Sequence, residues 1–427
     1  MTVRITGATL PDGTRADLFV ADGVFVDAAD AERTIDADGL IALPGLVDLH
    51  THLREPGFEQ SETVLTGSRA AAAGGYTAVF AMANTMPVQD TAGVVEQVQS
   101  LGEAAGYVTV RPIGAVTVGL AGEKLAEIGA MARSRAQVRV FSDDGHCVHD
   151  PLLMRRALEY TTTFGGVVAQ HAQEPRLTVG AQMNEGVVSG ELGLTGWPAA
   201  AEESIIARDV LLAQHVGARL HVCHVSTAGS VEVIRWAKAR GVRVTAEVTP
   251  HHLLLTEELV RSYDPRYKVN PPLRRNEDVV ALREALADGT IDIVATDHAP
   301  HPVEAKECAW GEAANGMVGL ESALSVVQAA MVDTGLLTWA DVARVMSGKP
   351  ADIGSLDGYD RPLAVGAPAH VTLVDPSAGR AFSIDDLQGR STNSPYLGRQ
   401  LPGRVVATLH AGIPTVLDGR LQEVGRG

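Results

Sequence analysis

The chain is short of four things, and each shortage closes off a class of protein. It has three cysteines in 427 residues, Cys147, Cys223 and Cys308, widely spaced and odd in number. That excludes a disulfide framework and fits a reducing cytoplasm. It has no excess of positive charge: 35 Lys and Arg stand against 52 Asp and Glu, a formal net charge of −17. Nucleic acid and anionic membrane both ask for basic patches, so neither is expected as a main partner. An anionic small molecule stays open, because one arginine or one metal ion overrides the net field locally. No apolar run approaches the roughly 18 residues of a membrane span, and "MTVRITGATLPDG" carries no signal-peptide core. Finally, no Gly-x-Gly-x-x-Gly follows an early strand, which argues against an open dinucleotide-binding sheet. Tandem repeats and low-complexity tracts are also missing.

What is present fits a soluble α/β protein, 45% apolar and 20% charged, with room for one large domain and a smaller one. The first 45 residues read as short strands ("VRITGATL", "ADLFVADGVFVDA", "IALPG") separated by turns at Pro11-Asp12-Gly13 and Asp22-Gly23. The end of the chain reads alike, in "HVTLVDP" and "RVVATLHAGIPTVLDG". Between them lie eight short apolar runs: 46–49, 78–82, 108–113, 138–141, 166–169, 220–223, 242–246 and 291–295. Amphipathic segments such as "SVEVIRWAKARG" from Ser230 separate most of them. Eight near-continuous apolar strands alternating with helices predict a closed parallel (β/α)8 barrel, with an open doubly wound sheet as the alternative.

Polar residues gather where these runs end. His50 and His52 close the first run and Asn84 follows the second. Asp143 and Asp144 follow the fourth, His171 ends the fifth and His224 the sixth, Glu247 follows the seventh and Asp297 the eighth. In a parallel barrel all these ends face one mouth. Taken singly, each has an ordinary structural explanation: a satisfied histidine, an Asp-Gly turn, a helix cap. As a set, four histidines and two acids on five strands are not accounted for by packing. His251-His252 and His146/His149 lack this placement and are read as structural. Residues i and i+2 of a strand share a face, so one ion can take both His50 and His52. Imidazole and carboxylate donors suit zinc, or manganese or cobalt, and the number of them suits a pair of ions.

"GLVDLHTHLREPG", "MANTMP", "FSDDG", "HVCHVST", "TAEVTPHHLLLTEE", "YKVNPPLR" and "ATDHAPH" together resemble the long-chain bacterial dihydroorotases of the amidohydrolase superfamily, over nearly the whole chain. The resemblance implies a TIM-type barrel over 46–364, flanked by a small β-sandwich built from 1–45 and 365–427. It implies that His50, His52 and Asp297 hold one metal and His171 and His224 a second. Asp144 bridges the two, with Asp143 as the competing candidate. Arg54, Asn84 and His301 would hold a substrate carboxylate, with His52 also in contact. Asn270, Asn315 and Gly316 would meet the ring. The resemblance also implies a contrast: hydantoinases, allantoinases and some dihydroorotases bridge their metals with a carboxylated lysine from the fourth strand, and no lysine lies between Lys124 and Lys238 here, so an aspartate must serve. The family's usual aromatic before the glycine is Asn315 in this chain.

The implied reaction is reversible hydrolysis of (S)-dihydroorotate to N-carbamoyl-L-aspartate, a step of pyrimidine synthesis in the ring-closing direction. It would be driven by a metal-activated hydroxide, with Asp297 as the proton shuttle. A homodimer and association with aspartate transcarbamoylase are further family expectations. The rivals are a hydantoinase, dihydropyrimidinase or allantoinase activity, and an inactive scaffold of the transcarbamoylase. An inactive scaffold would typically have lost its metal-ligand histidines.

Overall fold

Alternation along the first strand sets up the smaller β unit. In Val3–Thr9, Val3 and Ile5 are buried while Arg4 is exposed, so the strand has one wet face. The computed structural model describes residues 1–359 and 362–424. In it, the strands Val3–Thr9, Arg15–Ala21, Val24–Val26, Arg33–Asp36 and Ile41–Pro44 join Val371–Asp375, Arg404–His410, Ile413–Leu417 and Arg420–Leu421 in one nine-stranded sheet. The two chain ends meet where Val371–Asp375 lies antiparallel to both Ile41–Pro44 and Arg404–His410. Asp22 (φ 51°) and Gly23 (φ 81°) supply the two left-handed residues that a two-residue type I′ hairpin needs. Val3, Ile5, Phe25, Val371, Leu373 and Leu409 pack as a core belonging to this unit.

Each of the eight apolar runs coincides with a parallel strand: Leu46–Thr51, Tyr76–Ala81, Thr109–Pro112, Val140–Phe141, Val167–Gln170, Arg219–Val222, Val244–Val248 and Ile293–Val294. They pair in chain order. Two parallel bridges, Gly114 with Phe141 and Thr51 with His298, complete the ring. Asp48 fastens the closure, accepting from Thr296 N (3.0 Å), Thr296 Oγ1 (2.5 Å) and His50 N (3.2 Å). The interior is filled by Val47, Leu49, Ala78, Phe80, Val140, Val167 and Ile293, so it is a packed core rather than a pore. Ile353 and Tyr359 belong to the same cluster, and the Tyr359 hydroxyl meets Thr77 Oγ1 at 2.7 Å, at the start of the second strand.

The helices cover the outside. Ala228–Ala239 begins two residues before the predicted segment because Thr227 caps it, accepting from Ser230 N. Val231, Ile234 and Ala237 form its buried stripe.

Candidate metal centre and active site

The first strand turns its two histidines inward by a slip in register. Val47 and Leu49 face the barrel interior, and strict alternation would aim His50 and His52 away from it. The pairing shifts between Asp48 and Thr51, a β-bulge that lets His50 and His52 share the inward face.

Asp144 lies among four imidazoles. Its Oδ2 is 3.4 Å from His50 Nε2 and 3.3 Å from His52 Nε2. Its Oδ1 is 3.4 Å from His171 Nδ1 and 3.3 Å from His224 Nε2. Asp297 Oδ1 is 3.0 Å from His52 Nε2 and 3.4 Å from His50 Nε2. Two donor sets therefore share one carboxylate: His50, His52, Asp144 and Asp297, and Asp144, His171 and His224, all buried. Asp143 turns elsewhere, accepting from Val116 N (2.8 Å), Thr117 N (2.9 Å) and Thr117 Oγ1.

The outer nitrogens of three rings are already used. His50 Nδ1 donates to Glu247 Oε1 (2.5 Å), His52 Nδ1 to Asn84 Oδ1 (2.9 Å) and His171 Nε2 to Gln173 Oε1 (2.8 Å). In a neutral ring that leaves an inner lone pair, aimed at carboxylate oxygens or, for His171, at His224 Nε2 only 2.9 Å away. His50 Nε2 is buried with no hydrogen-bond partner among the described residues. Lone pairs converging on lone pairs call for a positive charge between them, and outer-shell acceptors of this kind are what orient imidazole ligands. The electrostatics agree. Burial disfavours a proton on His50, yet Asp144, Glu247 and Asp297 outweigh it and hold the ring well above its ordinary pKa. Burial likewise opposes ionised Asp144, but His50 and the hydrogen bonds of His171 and His224 hold it well below the usual carboxylate range. The donor set fits divalent cations. A third cluster, His50, Cys223 and Glu247, does not: burial keeps the Cys223 thiol well above its usual range, and Glu247 is occupied by His50 and His221.

Sequence reasoning noted Glu247 by place but gave it no role. Its two oxygens meet His50 Nδ1, His221 Nε2 (3.0 Å) and His224 N (3.1 Å), so it supports a residue of each donor set. Gln173 was missed altogether; only its place two residues beyond His171 pointed to it. His251, read as structural, lies near enough to Asp297, His224 and His50 to feel their charges. Burial above all lowers it to about 4, and its Nε2 is buried without a partner among the described residues.

Arg54 (φ 63°) follows on the same loop, half-buried, its Nε donating to Pro300 O at 3.2 Å. Burial lowers its pKa to about 10, so it stays charged at neutral pH. Burial first, then the charges of Arg54 and Lys306, push His301 down to about 3. This neutral ring donates from Nε2 to Asn315 O at 2.7 Å. Asn84 also reaches Asp144 O, through Nδ2 at 3.4 Å. Asn270 Nδ2 stands 2.8 Å from Gln173 Oε1 and 3.4 Å from His171 Nε2. Asn270 and Asn315 line a cavity of about 220 Å³ together with Gln173, Gln182 and Trp197. Gly316 (φ 137°) passes so close to His301 that a Cβ there would lie 2.9 Å from its Nε2.

Comparison with known proteins agrees with this geometry. The Dihydro-orotase-like family matches residues 39–230. The chain is 75% identical to a dihydroorotase of Leifsonia xyli over 98% of its own length and 97% of that protein's. It is 67% identical to one of Streptomyces coelicolor (98% and 99% covered) and 56% to one of Mycobacterium tuberculosis (96% and 97%). Among solved structures it is similar to an L-hydantoinase (dihydropyrimidinase) of Arthrobacter aurescens, with TM-score 0.87, 25% identity and 99% and 97% of the two chains covered. The fold is also that of a dihydropyrimidinase of Brevibacillus agri, with TM-score 0.85, 23% identity, and 99% and 96% covered. The barrel is thus common to several cyclic amidohydrolases, but the sequence identity that runs from end to end points one way: the chain belongs to the dihydroorotase family.

Proposed function

We propose that the chain catalyses the reversible hydrolysis of (S)-dihydroorotate to N-carbamoyl-L-aspartate, with one or two divalent ions, zinc first among them, held by His50, His52, Asp144, His171, His224 and Asp297. A cation bound there lowers the pKa of a coordinated water to about 7 and polarises a carbonyl as a Lewis acid. Asp297, beside His52 and His50, accepts a proton from the attacking water and returns it to the departing ring nitrogen. Arg54 binds the substrate carboxylate through its planar fork. An anion bound there offsets part of the shift that burial first, and the charges of Arg54 and Lys306 after it, impose on His301, and so favours the protonated ring, which can donate from Nδ1. Asn84 fixes His52, Asn270 and Asn315 line the cavity offered to the ring, and Gly316 stands beside them against His301.

One observation carries the choice of substrate. Among the described residues, no carboxylate pairs with Arg54, and its one hydrogen bond is Nε to Pro300 O. A half-buried guanidinium that no carboxylate touches, with Asp297, Asp144 and Glu62 acting on it only at a distance, suits an anionic ligand, whereas a neutral hydantoin would leave its fork unpaired. We further assign 1–45 and 365–427 to a β-sandwich and 46–364 to the catalytic barrel, because the strands at the two chain ends share a sheet with its own core. The three unbridged cysteines support a reducing, cytoplasmic setting.

The test is an assay of dihydroorotate, hydantoin, dihydrouracil and allantoin beside metal analysis, before and after chelation. Turnover of dihydroorotate alone is expected, lost with the metal and restored by zinc. Preference for an uncharged ring, or full activity in the metal-free protein, would reject this reading.

A further inference from the structure

Two lysines that touch neither donor set secure the loop that runs from His301 to Gly316. Lys268 and Lys306 are both buried, and among the described residues neither pairs with a carboxylate. A buried ammonium is costly unless each of its N–H groups finds an acceptor. Lys306 Nζ finds three, at Ala314 O (2.7 Å), Pro265 O (2.9 Å) and Lys268 O (3.2 Å). Lys268 Nζ takes Trp310 O (2.6 Å) and Gly311 O (3.3 Å) in the same loop.

Ala314 leads directly into the residues that set His301. Asn315 O accepts the His301 Nε2–H at 2.7 Å, and Gly316 N donates to Lys268 O at 2.9 Å. Asn393 clasps the same place, donating from Nδ2 to Gly316 O (3.1 Å) and accepting from His301 N (3.2 Å). Since Gly316 already runs against His301 and Ala299 with no room for a Cβ, a shift of Ala314 passes straight to the imidazole. Asn315 acts here through its carbonyl, which leaves its side chain free to differ from the family's aromatic.

We propose that Lys306 is a positioning residue for recognition of the substrate carboxylate: by holding Ala314 O it places the Asn315 carbonyl that orients His301 beside Arg54. This rests on the dihydroorotase reading. Three diverging carbonyls match a tetrahedral ammonium; methionine has a similar stem and no donor, and the planar fork of arginine does not reach three such acceptors.

The full-length, metal-loaded Lys306→Met variant tests it. KM for dihydroorotate is expected to rise about tenfold, the scale of one lost charge-assisted hydrogen bond, with kcat within about twofold and metal content unchanged. Competitive inhibition by dihydrouracil, the same ring without the carboxylate, should not move. An unchanged KM, or an equal loss of affinity for both compounds, overturns the proposal while leaving the dihydroorotase reading intact. If the wild type does not turn over dihydroorotate, that reading fails instead. Hydrogen exchange then judges the latch independently: the Asn315 and Gly316 amides should exchange faster in the variant while the barrel strands do not, and unchanged exchange overturns it. Should Lys306→Met not fold, Lys306→Gln, which keeps donors on a shorter arm, is read the same way. Failure of both to fold also overturns the proposal, by making Lys306 a requirement of the fold rather than of recognition.

Discussion

Arg54 (φ 63°), His224 (φ 30°) and Asp297 (φ 48°) all hold left-handed backbone angles, a conformation that costs a non-glycine residue about 1–3 kcal/mol. Each has a neighbour that anchors it or the residue before it: Pro300 O takes the Arg54 side chain, Glu247 the His224 N–H, and Asp48 the Thr296 N–H just before Asp297. Eight other non-glycine residues among those described share this conformation, mostly in turns, but at Arg54, His224 and Asp297 it fixes side chains assigned to the chemistry, so these need little reorganisation to meet a ligand. Asp297→Asn keeps the shape and removes the proton acceptor. Turnover should fall by about 10²–10⁴, the usual worth of a positioned acid–base group, with the thermal midpoint nearly unchanged. Metal analysis of the same preparation separates a lost base from a lost ligand, and near-normal turnover would remove Asp297 from the proton path.

The seam between the nine-stranded sheet and the barrel contains two histidines of a different kind. His370 stacks on Tyr359 (centroids 4.8 Å apart, planes at 9°), His410 lies 5.1 Å from His370, and Thr109 Oγ1 meets His410 Nε2 at 3.0 Å. Burial, then the charge on His410, lowers His370 to about 3, and burial lowers His410 to about 4. Both are therefore neutral when folded and take up protons near pH 6.5 when unfolded. Below pH 6.5 the unfolded chain binds more protons, so stability is complete above that pH and declines as it falls toward 4. Thermal midpoints measured from pH 7 to pH 4 should decrease, and His410→Gln should flatten part of that slope. An identical slope in the variant would exclude the seam as a source.

Much at this scale was legible beforehand. Strands buried on both faces write themselves as unbroken apolar runs, and a parallel barrel obliges their ends to meet, so place alone brought His50, His171, His224, Asp297 and the pair Asp143/Asp144 to one mouth, while their separate roles came from the family resemblance. What was hidden depends on neighbours across the barrel. Glu247 reaches His50 from 197 positions away, and neither stretch announces the other. The choice of Asp144 over Asp143 turns on which way each side chain leaves the loop, which two adjacent acids do not disclose. His251 follows a helix cap rather than a strand end, so strand logic passed over it.

At the scale of the whole molecule, the frame is shared with a hydantoinase at 25% identity, so the fold alone does not choose the substrate and the choice rests on the residues at the site. The carboxylate shared by the two donor sets is Asp144, an ordinary side chain, and no lysine lies between Lys124 and Lys238 to take its place. If Asp144 bridges the proposed ions, assembly of the centre draws nothing from dissolved gas. Refolding with zinc in degassed, bicarbonate-free buffer should recover the same specific activity as refolding in carbonated buffer, and a bicarbonate requirement would mean that some other group completes the centre. On the proposed reading, the protein's competence is written in full by its gene and tied to metal supply, not to the carbon dioxide content of its surroundings.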